Sequence, residues 1–108
     1  MFQHISPAQL KEKIDENNVS IVDIRDQNSY FDGHISNAEL LDNNTVPKFL
    51  SQALLEKEKP VVVCCYHGNS SQGAAQYLAE QGLENVYSLD GGFEVWKITF
   101  PELVQSNI

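Results

Sequence analysis

Three short apolar runs divide the chain, at residues 19–24, 61–64 and 85–89. They are rich in valine, isoleucine and other strand formers, which predicts three β-strands. The middle run, Val-Val-Val-Cys, has no polar interruption. Such a run fits a central parallel strand buried on both faces. Between the runs the apolar spacing changes to three and four. Leu10 and Ile14 share one helix face, as do Phe49, Leu50, Ala53 and Leu54, and Ala74, Ala75, Leu78 and Ala79. These stripes predict helices beginning near residue 7, over 46–57 and over 71–81.

Punctuation sharpens the reading. Residues 3–5 form an extended entry. Ser6, Pro7 and Gln9 predict an N-cap, a proline at N1 and a capping box, and Asn17-Asn18 ends that helix. Asp26 is expected to cap one or two helical turns that stop at a left-handed Gly33. A short extended piece follows around residues 39–41. Thr45 is expected to cap the next helix, Pro60 to end its exit, and Gly82 to end the helix over 71–81. Asp90-Gly91-Gly92 reads as a turn before a short helix at 93–98, with Phe93 and Trp96 turned to the core.

Strands alternating with helices predict an α/β fold, a mainly parallel central sheet with helices on both faces. Ligands bind such sheets outside the carboxyl ends of the strands. Arg25, the segment after Cys65, and Asp90-Gly91-Gly92 each follow a strand and should meet at one edge. With 108 residues, one domain over 1–108 is expected.

Charge and cysteine usage narrow the classes. The formal net charge is −8, from one arginine and six lysines against fifteen acids. That argues against nucleic acid and against an anionic membrane surface. No apolar run nears the roughly 20 residues that span a bilayer, and Met1-Phe2-Gln3-His4 does not resemble a signal peptide. The two cysteines, Cys64 and Cys65, are neighbours, so no disulfide framework is expected and a reducing, cytoplasmic setting is. They and three histidines match no zinc spacing, so no metal is expected.

The chemistry concentrates in Cys65-Tyr66-His67-Gly68-Asn69-Ser70-Ser71. A strand, a tight loop with one glycine and a helix N-terminus make an anion cradle. A thiolate is an anion, and only the thiolate attacks. Cys65 is therefore the expected nucleophile, with amides from Tyr66 to Ser71 curled around its sulfur. Cys64 must face the other way and is assigned to the core. His67 is read either as a substrate-orienting residue or as a solvated one. Ser70 and Ser71 are expected to donate to substrate, although capping the helix would account for one of them. Arg25 is expected in an ion pair with Asp23, Asp26 or Asp32, and His34 in a turn.

Taken together, Val22-Asp23-Ile24-Arg25, Gly33-His34-Ile35, the seven-residue loop, Gly82, Tyr87-Ser88-Leu89-Asp90-Gly91-Gly92-Phe93 and Trp96 resemble the rhodanese-like sulfurtransferase family. The resemblance runs over nearly the whole chain. It implies a rhodanese-like fold and a double displacement. The Cys65 thiolate takes the outer sulfur of thiosulfate, sulfite leaves, and the loop holds a persulfide. Cyanide, a small dithiol or reduced thioredoxin then removes the sulfur. No cofactor is implied. Many relatives carry arginine or lysine in or just after the loop; here Gln72 follows the serines and His67 is the one possible loop cation. Three other readings compete: a protein-to-protein persulfide carrier, a cysteine phosphatase or arsenate reductase, and a non-catalytic binding module. The second needs an arginine six residues after the cysteine, where this chain has Ser71. The third is opposed by the presence of Cys65.

Overall fold

The computed structural model describes residues 1–107. Five strands form one sheet in the order β1-β6-β5-β2-β4: β1 (Gln3–Ile5), β2 (Ser20–Asp23), β4 (Glu39–Leu40), β5 (Val61–Cys64) and β6 (Val86–Leu89). Every pairing within it is parallel. A two-stranded antiparallel ribbon, β3 (His34–Ile35) with β7 (Val104–Gln105), lies apart from it.

Strand alternation sorts the core into two layers. Val62 and Cys64 face one way, with Ile21 and Leu89, toward Leu10 of α1 (Pro7–Asp15) and toward Phe93 and Trp96 of α5 (Gly92–Thr99). Val61 and Val63 face the other way, with Val22 and Val86, toward Phe49 of α3 (Val46–Ala53) and Ala75 and Leu78 of α4 (Ser70–Glu80). The sheet is thus covered on both faces. All four residues of β5 are buried, as its unbroken apolar run requires. Among the described residues, no helix is long and apolar enough to cross a membrane.

The first helix forms as its punctuation dictates. The Ser6 hydroxyl accepts from the Gln9 amide at 3.1 Å, and the Gln9 side chain accepts from the Ser6 amide at 3.0 Å. Asp26 likewise caps α2 (Gln27–Asp32), accepting from the Ser29 amide at 3.1 Å.

Other local expectations fail for definite reasons. Gly33 is not a left-handed stop. Its backbone is extended, at φ −177° and ψ 135°, because the chain runs straight into β3. Its carbonyl accepts from Arg25 Nη2 at 2.6 Å. His34 is a buried strand residue rather than a turn residue; it stacks on Tyr30 and its Nδ1 lies 2.8 Å from the Tyr30 carbonyl. Thr45 has helical backbone and no capping bond. Its hydroxyl instead donates to the Leu40 carbonyl at 3.1 Å, while Asp42 accepts from the amides of Asn44 and Thr45. The helix over 46–57 ends earlier, at Ala53, and continues as a 3-10 turn over Leu54–Glu56. Strand β2 is one residue shorter at each end than the apolar run.

Candidate active site

Parallel register aligns the carboxyl ends of the three central strands. Asp23 lies opposite Cys64, and Val63 opposite Ser88. Arg25, the Cys65 loop and the Asp90-Gly91-Gly92 turn therefore gather at one edge of the sheet, as the element order predicts.

The Cys65 side chain continues the face of Val61 and Val63, toward α4. Cys65 is 3 % exposed. The amides of Gly68 and Ser71 both donate to Cys65 Sγ at 3.2 Å, and the His67 amide adds to them. The Cys65 thiol donates to Ser71 Oγ at 3.2 Å. Burial pushes this thiol up, but the hydrogen bonds from Ser71, Gly68 and His67 outweigh it and hold Cys65 below the ordinary thiol value. Cys64, fully buried on the opposite face, is pushed well above that value, first by burial and then by the charge of Asp23.

Two glycines make the cradle possible. Gly68 has φ +90°, and a side chain there would strike the Gly91 amide at 2.9 Å. Gly92 has φ +61°, and a Cβ would come within 2.5 Å of the Cys65 carbonyl and 2.6 Å of the Tyr66 carbonyl. Those carbonyls face α5. Cys65 O accepts from the Phe93 amide at 2.8 Å, and Tyr66 O from the Glu94 amide at 3.1 Å. With its first two carbonyls held outward, the loop turns later N–H groups inward to the sulfur. Gly92→Ala is expected to destabilise the fold by about 2–3 kcal/mol through left-handed strain and this backbone collision. A denaturant midpoint measured beside that of the parent checks it.

The remaining loop side chains diverge. Tyr66 leaves the sulfur: its hydroxyl donates to Asp26 and lies 2.7 Å from Ser29 Oγ. This bond comes first, and the Ser29 contacts next, in lowering Asp26 to about 2. His67 is exposed, its ring tilted against Tyr66 at 6.5 Å. Asn69 occupies the N-cap of α4 without a capping side-chain bond, and Ser70 is exposed at its first position. Neither Ser70 nor Ser71 is the cap. Ser71 is fully buried, and its hydroxyl is committed to the sulfur and to Ser88 Oγ, 2.7 Å away. Gln72 Nε2 donates to Gly68 O at 2.9 Å and so braces the loop.

Arg25 pairs with Asp23, the first of the three acids expected. Its Nη2 donates to Asp23 Oδ2 at 2.8 Å and its Nε to Oδ1 at 3.0 Å, with both side chains buried. Its guanidinium also lies over the Phe93 ring at 4.2 Å and the Tyr66 ring at 5.6 Å. Ser88, named in the sequence only as part of the stretch over 87–93 and given no role there, belongs to the site as well. The available signal was a lone hydroxyl inside a strand covered on both faces. Among the described residues, no group of three or more His, Cys, Asp or Glu side chains could hold a metal ion.

Comparison with known proteins agrees with this geometry. The sequence model of the rhodanese-like domain matches residues 6–99. The chain is 50% identical over 104 residues to a thiosulfate sulfurtransferase GlpE of Pseudoalteromonas translucida, covering 96% of this chain and 97% of that one. It is 53% identical over 100 residues to a thiosulfate sulfurtransferase GlpE of Ectopseudomonas mendocina, covering 93% and 89%. The fold is similar to the crystal structure of a rhodanese-like domain protein from Staphylococcus aureus, with a TM-score of 0.74, 29% identity, and coverage of 88% and 91%. A buried cysteine ringed by amides at the edge of a parallel sheet, and these matches across nearly the whole sequence, show that the chain belongs to the rhodanese-like family.

Proposed function

We propose that residues 1–108 act as one thiosulfate sulfurtransferase domain, with Cys65 as the nucleophile. The observation that carries the reading is the sulfur cradle itself. Donors from Gly68, Ser71 and His67 converge on Cys65 Sγ, so negative charge on sulfur is stabilised before any substrate arrives. The naming of the relatives as thiosulfate sulfurtransferases supports thiosulfate as the donor.

The Cys65 thiolate attacks the outer sulfur of thiosulfate. A new sulfur–sulfur bond forms to Cys65. The bond inside thiosulfate breaks, and sulfite leaves with its electron pair. The Cys65 persulfide that remains carries its charge on the outer sulfur, within reach of the same amides. Cyanide attacks that sulfur, producing thiocyanate and freeing the Cys65 thiolate. A thiol acceptor, as a small dithiol or reduced thioredoxin, would take the sulfur as its own persulfide. Two easier displacements replace one difficult transfer. Neither needs a cofactor. The backbone amides of His67, Gly68 and Ser71, with exposed His67, Asn69 and Ser70 at the rim, form the substrate-binding surface. Tyr66 contributes by anchoring the loop to Asp26. Two free cysteines in the chain support a reducing, cytoplasmic setting.

Incubation with thiosulfate followed by intact mass and peptide mapping tests this reading. A gain of one sulfur atom on Cys65 is the expected result; no gain at any pH overturns it. The rate of that gain should follow the thiolate. It is expected to rise with pH to an inflection below that of a free cysteine thiol, because the cradle's hydrogen bonds favour the thiolate. Above the inflection the rate should be flat. Stopped-time mass measurements across pH check this.

A further inference from the structure

Ser88 sits inside β6 with 1 % exposure. A hydroxyl in such a place costs free energy unless it is hydrogen-bonded. It is paired with Ser71 Oγ at 2.7 Å, and either oxygen can donate. Ser71 Oγ in turn lies 3.2 Å from Cys65 Sγ. The three atoms form a buried chain running from the strand to the sulfur.

That chain has two proton arrangements. With Cys65 as thiol, its S–H donates to Ser71 Oγ, and the Ser71 hydroxyl donates to Ser88 Oγ. When the thiol proton leaves to water, the sulfur can no longer donate. The Ser71 hydroxyl then rotates to donate to sulfur, and the Ser88 hydroxyl rotates to donate to Ser71 Oγ. No heavy atom has to move. Ser88 thus supplies the donor that keeps Ser71 satisfied while Ser71 serves the anion. Linked hydrogen bonds reinforce one another in a low-dielectric interior.

We propose that Ser88 is a positioning residue for the sulfur chemistry, acting through Ser71 to favour the charged form of Cys65. The proposal rests on the sulfurtransferase reading only in requiring a thiolate at Cys65. Other titratable groups surround the site. Cys64, Tyr66 and His67 adjoin it in the chain, Asp23 and Arg25 lie at the end of β2, and Asp90 and Glu94 flank the start of α5. His4 of β1 pairs with Asp90. Among the described residues, the side chains hydrogen-bonded to Cys65 Sγ include Ser71 and none of these.

The test compares the parent, Ser88→Ala and Ser88→Thr. Two rates are followed across pH: alkylation of Cys65 by iodoacetamide, read by peptide mass, and sulfur uptake from thiosulfate. Ser88→Ala is expected to move the alkylation inflection up by about half to one pH unit, so that well below the inflection the rate falls roughly three- to ten-fold. At high pH the rate should return to within about two-fold of the parent. Ser88→Thr keeps the hydroxyl and should stay near the parent. An unmoved inflection overturns the proposal, as does a plateau lowered equally at all pH, which would mark a packing defect. Ser88→Thr displaced as far as Ser88→Ala also overturns it. Alkylation with the expected shift but no sulfur uptake by the parent would remove the sulfurtransferase reading and leave the hydroxyl chain standing.

Discussion

Cys65→Ser is expected to lower sulfur uptake from thiosulfate by at least about 10³-fold, the scale on which enzymes lose rate with their nucleophile. A serine hydroxyl in this cradle keeps its proton. The amides aimed at the position are donors, the Ser71 hydroxyl is no base, and a serine nucleophile needs a base beside it. The amides of Gly68 and Ser71 would then bond a neutral oxygen and activate nothing. Intact mass after thiosulfate treatment should show no added sulfur. Cys64→Ala is the matched control. Cys64 faces Ile21, Val62 and Leu89 across the sheet from the cradle, and burial keeps it a thiol. Its loss should cost some packing and leave the sulfur adduct on Cys65. An adduct surviving in Cys65→Ser, or vanishing in Cys64→Ala, would reassign the nucleophile.

The largest expected loss of stability comes from a residue that never touches the sulfur. Arg25→Met should destabilise the fold by about 3–5 kcal/mol, because it strands the Asp23 carboxylate in the interior without its partner. Both side chains are essentially out of water. The Arg25 amide also donates to Asp23 Oδ1 at 3.0 Å, which does not replace the lost charge. In a chain of this size the loss should lower Tm by more than about 10 °C. Replacing both partners, Asp23→Leu with Arg25→Met, should recover much of the loss, since it removes the unpaired charge. The double variant separates a second role. Arg25 holds the Gly33 carbonyl and so fixes the end of α2, whose cap, Asp26, holds Tyr66. If that linkage matters, the double variant regains stability while the loop stays loosened, which slows sulfur uptake without unfolding. Thermal melts and uptake rates measured side by side check it.

The elements and the nucleophile were legible because each rests on local chemistry. The capping box at Ser6 and Gln9 closes within four residues and competes with nothing. The unbroken run of β5 fits a covered strand, and alternation puts Cys64 and Cys65 on opposite faces, Cys65 being the one on the α4 side. What escaped was set by distant partners. Capping is the local use of such hydroxyls, so the sequence points to it for Thr45 and for one of Ser70 and Ser71. In the fold the Thr45 hydroxyl is drawn to Leu40 O, and the Ser71 hydroxyl to Cys65 and Ser88. Glycine permits the left-handed stop expected at Gly33, but β3 and Arg25 impose extended backbone. The ribbon of β3 with β7 joins segments far apart in sequence over two residues each, too short to leave a periodic signal. Ser88 is legible as a polar interruption within a family-like stretch, but its role depends on β6 lying beside β5.

The bonds from α5 to the Cys65 and Tyr66 carbonyls bear on how such a site could change its guest. They pin the first two peptide units, and α4 pins Ser71 at the far end. The span from His67 to Asn69 closes the ring between these fixed ends, its Gly68 carbonyl braced by the Gln72 side chain. One more residue in that span is expected to widen the aperture at the expense of the Gly68 contacts alone, whereas a substitution in the fixed mount, at Gly92, would distort every aperture alike. Guest size is thereby separated from structural integrity, and a larger anion could be admitted by lengthening a few atoms of backbone.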